Sequence, residues 1–256
     1  MALTVKTTRE IIRPGWKMKV LIYGVAGAGK TTWAGSAPAP LIGACETGEG
    51  HGLMPLANRE ARYVRLSTME ELDEFIQFAA KDPDSQTVVL DSVTAMCQTF
   101  VKDKALSLPR RGPESEKRKL GLPELDDYGS MGELIRSRVM RLLEIDKHVI
   151  LTALRRHREG DPERGTPELI GPMLPGAAFE AVPGMVDHVF LLESRRKIVN
   201  GKPIFVRILI TAPRGIIVAK TRIKDALDPE LEWTDDASSG SFQSIYQRLS
   251  KVGGGK

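Results

Sequence analysis

No segment constrains this chain more than Gly24-Val-Ala-Gly-Ala-Gly-Lys30-Thr31. It fits G-x-x-x-x-G-K-[ST], a loop whose glycines let the backbone wrap a phosphate without Cβ clashes. The loop amides and the N-terminus of the following helix present positive partial charge to an anion. Such a loop needs a strand before it and a helix after it. Residues 17–24 (KMKVLIYG) form an apolar run bounded by glycine, and a helix is expected from Lys30. Gly24, Val25, Ala26, Gly27, Ala28, Gly29, Lys30, Thr31 and Thr32 are therefore the expected nucleotide-binding residues. Lys30 would reach the β and γ phosphates, and the Thr31 hydroxyl would ligate magnesium.

The rest of the pattern alternates strand and helix before changing character. Residues 40–46 (PLIGACE) and 62–66 (RYVRL) read as strands, and 69–80 as a helix with Thr68 as its N-cap. Residues 87–91 (TVVLD) are a continuous apolar run ended by an acid, the signature of a parallel strand covered on both faces. A helix over 92–106, a polar loop over 108–122, a long helix over 128–146 and a strand over 149–152 follow. Residues 155–175 read as a second long loop. Strands at 187–193, 203–210 and 216–222, joined by turns at Asn200-Gly201 and Pro213-Arg214-Gly215, then predict an antiparallel meander. The last helix carries Phe242, Ile245, Tyr246, Leu249 and Val252 on one face, expected to pack on the domain. The expected fold class is α/β, a mostly parallel central sheet flanked by helices with a C-terminal antiparallel meander.

Length and composition limit the alternatives. A chain of 256 residues, 41% hydrophobic, buries a real core, and one domain is expected. The expected division is an N-terminal arm (1–16), the main domain (17–234), and a linker with the amphipathic helix (235–256). Cys45 and Cys97 lie in apolar stretches and read as free buried thiols. No stretch approaches the roughly 18 apolar residues of a membrane span, so no membrane partner is expected and the location is expected to be cytoplasmic. The net charge of +4 is mild and fits either a polyanion partner or an ordinary enzyme.

Two acids stand where the phosphate chemistry needs them. Asp91 ends its strand and is placed either to hold magnesium through water or to cap the next helix; beside a phosphate loop the metal role is expected. Glu46 ends the strand after the loop's helix, at the same sheet edge, where a carboxylate orients attacking water. Glu49 competes with it, and a solvated loop acid is the plain alternative.

The ordered set YGVAGAGKTT, PLIGACETGEG, TVVLDSVTAMC, a long helix after DDYGSMG, HVILTAL and IIVAKTR resembles the phage RecA-like P-loop ATPases, the single-strand annealing recombinases that share the RecA core. The resemblance spans roughly residues 18–227. It implies a RecA-like core, ATP and Mg2+ as cofactors, and a homo-oligomer, ring or filament, with nucleotide between subunits. Lys30, Thr31 and Asp91 match directly. Glu46 matches the catalytic glutamate, although Ala44 replaces an acid often seen two residues earlier. Lys220 and Arg222 match a basic pair that reaches the neighbouring subunit's nucleotide; residues two apart on a strand share a face and can converge on one target. Where the resemblance expects a polar sensor after the 149–152 strand, this chain has Thr152-Ala153-Leu154, and only Thr152 can hydrogen-bond through its side chain.

In such proteins two loops bind single-stranded DNA. Their places here hold Arg110, Arg111, Lys117, Arg118 and Lys119 in the first loop, and Arg155, Arg156 and Arg158 at the start of the second. Neither cluster contains an aromatic residue, so backbone-led, salt-sensitive binding is expected; charge alone favours solvated surface loops. The resemblance thus implies a DNA-stimulated ATPase promoting strand annealing, with a single-strand-binding protein as a further candidate partner of the last helix. A helicase-loader or motor ATPase, a small-molecule kinase, and a non-hydrolysing switch are the competing classes.

Overall fold

A computed structural model describes residues 15–45, 51–59, 61–107, 123, 125–163, 165–199, 201–234 and 236–253. The strands in chain order are β1 (Lys19–Gly24), β2 (Pro40–Ala44), β3 (Arg62–Arg65), β4 (Thr87–Asp91), β5 (His148–Arg158), β6 (Leu169–Pro172), β7 (His188–Val199), β8 (Lys202–Ile210), β9 (Lys220–Thr221) and β10 (Glu230–Trp233). The helices are α1 (Lys30–Ala34), α2 (Met69–Lys81), α3 (Val93–Met96), α4 (Lys102–Ser107), α5 (Leu125–Leu143), α6 (Ala178–Met185) and α7 (Phe242–Gly253).

Across the sheet the order is β10-β8-β7-β1-β5-β4-β2-β3. The strands β7, β1, β5, β4, β2 and β3 run parallel, while β8, β9 and β10 add antiparallel pairings at one side. The expected α/β architecture with an antiparallel C-terminal portion is the one observed.

Strand alternation sorts the core into two layers. Leu21, Tyr23, Val88, Leu90, Val149, Leu151, Val189 and Leu191 face the layer formed by α2, α3, α5 and α6. Val20, Ile22, Val89, Ile150, Phe190 and Leu192 face the opposite layer, with Trp33 of α1 and Phe242, Ile245 and Leu249 of α7. Both faces of β1, β2 and β4 are covered, which is why their sequences read as unbroken apolar runs, whereas the edge strand β3 is exposed along its length. The last helix packs on the core as expected. The Trp33 indole N–H donates to Gly240 O at 2.8 Å, and the Tyr246 hydroxyl donates to Trp16 O at 3.1 Å.

Four local expectations change. The helix expected over 92–106 is broken: a π-helical turn at Cys97–Val101 separates α3 from α4, and Thr99 leaves helical geometry at φ −108°, ψ −106°. Its hydroxyl donates to Ala95 O at 2.7 Å, and such back-bonding to the preceding turn bends helices. The second long loop is largely strand. β5 runs on through Arg158 and pairs antiparallel with β6, Arg155 opposite Pro172 and Arg158 opposite Leu169. The strand expected over 216–222 shrinks to β9. Finally, α6 and β10 were not anticipated; α6 carries an internal proline, Pro183, and β10 is four residues long.

Candidate nucleotide site

The phosphate loop has the geometry its sequence demands. Gly27 (φ 76°) and Gly29 (φ 101°) occupy the left-handed region, where side chains with a Cβ are strained. Gly24 is required for a different reason. A Cβ there would lie 2.2 Å from Leu192 O, because β1 and β7 run side by side into the loop. Lys30 is buried, and its ammonium donates to Val25 O at 2.9 Å and Gly24 O at 3.2 Å, so it lies across the loop.

The two predicted metal residues meet. Thr31 Oγ1 donates to Asp91 Oδ2 at 2.6 Å, although 60 residues separate them in sequence. Asp91 is only 6% exposed. Its other oxygen accepts from Thr152 Oγ1 at 2.5 Å. Thr152 comes from β5, the strand between β1 and β4, which pairs with both. The helix cap is not Asp91: Ser92 fills that role, its hydroxyl accepting from Ala95 N–H at 3.1 Å. The Asp91–Ser92 peptide is cis. A carboxylate and a threonine hydroxyl converging at one point are hard oxygen donors of the kind magnesium takes, so the residues fit that ion.

Thr152, the possible polar partner in a sequence that offers Ala153 beside it, is thus tied directly to Asp91. A second hydroxyl extends the connection. Thr94, on α3 just after Asp91, accepts from Leu154 N–H at 2.9 Å and donates to Met173 O at 3.0 Å. The start of the β5 extension and the residue that follows β6 are therefore pinned to the helix that follows Asp91. Sequence reasoning missed Thr94; its only signal was a position three residues past Asp91.

Not every expected site residue lands near this centre. β2 ends at Ala44, opposite Asp91, and Cys45 N–H donates to Asp91 O at 2.7 Å. Glu46 itself lies outside the described residues, as do Arg110, Arg111, Lys117, Arg118 and Lys119. Lys220 and Arg222 lie toward the other end of the sheet. Lys220 sits opposite Val189, whose partner on β1 is Leu21, so it is about 10 Å along the strand from Gly24. Its ammonium donates to Pro183 O at 2.6 Å, and Arg222 donates to Gly184 O at 3.1 Å. Within one chain this pair holds the C-terminal carbonyls of α6, where cations are favoured. Neither touches the chain's own phosphate loop.

The arginines at 155, 156 and 158 were expected as one basic loop cluster, and the structure divides them. On a strand they alternate faces, Arg155 on one side and Arg156 and Arg158 on the other. Arg158 lies over the Phe179 ring, 5.6 Å from its centroid, and 3.8 Å from a Glu180 oxygen, so part of its charge is compensated. Arg156 is exposed and borders a cavity of about 380 Å3 lined also by Lys102, Tyr128, Met131 and Met173. An aromatic side chain thus joins the basic residues, which the sequence clusters did not contain.

Behind β1 and β7 sits a group of buried histidines. His148 Nδ1 accepts Met18 N–H at 3.0 Å, and its ring meets Phe242 and Tyr246 edge-on. His188 lies against Trp16 and Phe190, with neither ring nitrogen hydrogen-bonded among the described residues. Burial pushes His148 down to about 4 and His188 down to about 3, with nearby lysines and, at His188, Arg222 adding to the effect. Both are neutral at pH 7 and structural.

The sequence pattern of a family described as an AAA domain matches residues 16–223. Among solved structures, a KaiC-like protein from the hyperthermophilic archaeon Pyrococcus horikoshii OT3 is similar in fold, with 15% identity, 88% of this chain and 90% of that chain covered, and a TM-score of 0.47. No curated protein matches the sequence. Among the described residues, no helix is long and apolar enough to cross a membrane.

Proposed function

We propose that this chain, which belongs to the AAA domain family and is a P-loop ATPase, couples hydrolysis of magnesium-bound ATP to the binding and annealing of single-stranded DNA. The phosphate loop amides and Lys30 hold and neutralise the phosphates. Thr31 and Asp91 would hold magnesium, which would supply positive charge to offset that of the phosphates. Glu46 is the proposed water-orienting base. Lys220 and Arg222, remote from their own loop, are proposed to serve the nucleotide of an adjoining copy in a homo-oligomer.

One observation carries the link to DNA. The basic extension of β5, with Arg155 and Arg156 exposed, is hydrogen-bonded through Thr94 to the segment that follows Asp91. A change at the metal acid therefore has a short covalent and hydrogen-bonded route to the surface that would meet phosphates. Arg110, Arg111, Lys117, Arg118 and Lys119 are proposed to extend this surface, and Tyr128 in the adjoining cavity offers a stacking face. The last helix buries its apolar face in the core, so a single-strand-binding protein, if it docks there, would meet the polar face.

The test is binding of a labelled DNA oligonucleotide across a salt series. Replacing Arg155 and Arg156 by alanine should weaken binding and reduce the slope of log affinity against log salt by about one to two units. An isotherm identical to that of the parent chain at every salt concentration would remove this strand from the DNA surface. Annealing of complementary oligonucleotides, tested alongside, separates a recombinase from a motor that unwinds or translocates.

A further inference from the structure

The metal end of the nucleotide is defined by Asp91 on β4, with β5 between it and the phosphate-loop strand β1. A triphosphate whose γ end lies toward β4 must send its nucleoside the other way, toward β7 and β8. On that side a charged residue interrupts the apolar strand β8, in the run Val206-Arg207-Ile208. Arg207 pairs opposite Ser194, two residues beyond Leu192, whose carbonyl abuts Gly24. Its side chain therefore stands level with the phosphate loop. A Cβ on Gly29 would meet Arg207 Nε at 2.8 Å and Trp233 Cζ3 at 3.2 Å.

Arg207 is held in an unusual way. Its guanidinium lies over the Trp233 ring, 5.1 Å from the centroid. Among the described residues it makes no ion pair and no hydrogen bond, and it is half-buried. Arg195 on the same hairpin differs, being paired with Glu193 and Glu230 on the opposite sheet face. Trp233 is 3% exposed, yet its indole N–H has no acceptor among the described residues. A buried tryptophan usually satisfies that group. This one presents its ring to Arg207 and the loop instead.

We propose that Arg207, backed by Trp233, is the platform on which the base of the bound nucleotide stacks. A guanidinium is planar and stacks on π-faces, so with one face on the indole its other face can carry a purine. The order would be Trp233, Arg207, base. This rests on the chain binding ATP at the phosphate loop and adds the subsite for the nucleoside, which no motif in the sequence marks. Because every base has a π-face, such a platform discriminates weakly between adenine and guanine.

The test compares nucleotides with a ligand that has phosphates and no base. Magnesium-bound ATP, GTP and inorganic tripolyphosphate are titrated into the wild-type chain, Arg207→Ala and Arg207→Lys, with Trp emission and calorimetry as readouts and thermal melts as the folding control. Stacking losses predict a roughly tenfold or greater weakening of ATP and GTP in Arg207→Ala. Tripolyphosphate affinity should stay unchanged, and Arg207→Lys, which keeps charge and loses the plane, should not restore ATP binding. Equal weakening of ATP and tripolyphosphate would make Arg207 a phosphate contact and overturn the proposal, as would unchanged ATP affinity in Arg207→Ala. Failure of the wild-type chain to bind ATP or tripolyphosphate would instead defeat the phosphate site itself, and the platform with it.

Discussion

Replacing Thr152 by valine should damage both stability and metal use. Thr152 is fully buried and donates to Asp91, which is itself only 6% exposed. Valine keeps the shape and deletes the hydroxyl. Asp91 then retains Thr31 as a donor but loses its second, and a buried carboxylate cannot recruit water freely. Hydrogen bonds to charged groups contribute about 1.5–3 kcal/mol, and leaving one partner unsatisfied costs an amount of that order. For a chain of this size that corresponds to a fall in Tm of about 3–12 °C. The carboxylate also loses the contact that orients it toward Thr31. Removing such supporting contacts typically weakens a metal site by about 10–100-fold. The assays are thermal unfolding without nucleotide, and ATP turnover against magnesium concentration. Thr152→Ser, which keeps a hydroxyl, should recover most of both losses. A valine variant with wild-type Tm and wild-type magnesium dependence would refute the argument that β5 holds Asp91 in place.

Further predictions address separate parts of the account. Gly24→Ala should abolish nucleotide binding and lower stability by about 1–3 kcal/mol or more, since its Cβ would collide with Leu192 O; denaturant midpoints and ATP titration check this. His148 and His188 are depressed below their unfolded value near 6.5, so the unfolded state binds the extra protons. Their contribution is complete above pH 6.5 and is lost as pH falls toward about 4 and about 3. Each should cost roughly 1.4 kcal/mol per pH unit in that window. His188→Phe should flatten the acid limb of stability against pH, and an unaltered limb would count against burial of a neutral ring there. Lys220→Ala with Arg222→Ala should leave ATP affinity of the isolated chain intact while reducing turnover at concentrations where copies assemble; equal loss in monomer and assembly would argue against a role in trans.

Much of this architecture was legible because its residues answer to one constraint each. Gly27 and Gly29 of the phosphate loop are fixed by backbone conformation, Gly24 by the close approach of Leu192 O, and TVVLD by burial on both faces. Thr68 is the expected N-cap of α2, and the structure adds Glu71, whose side chain accepts the Thr68 backbone N–H in return. What escaped notice depends on partners distant in sequence. Arg155-Arg156-His157-Arg158 has no apolar alternation and becomes a strand only because β6 returns beside it. The helix break at Thr99 follows from one hydroxyl turning onto Ala95. α6 contains Pro183 and Gly184, which disfavour a helix, and its carbonyls are held by Lys220 and Arg222 from another element. Arg207 and Trp233 join the phosphate loop through sheet order alone.

The most direct measurement is ATP hydrolysis with and without single-stranded DNA, with Lys30→Ala as the blank. The account predicts turnover that rises on adding DNA and vanishes in the Lys30 variant, tying the phosphate loop to the basic extension of β5. Turnover lost in the variant but indifferent to DNA would leave the nucleotide site intact and contradict the coupling to nucleic acid.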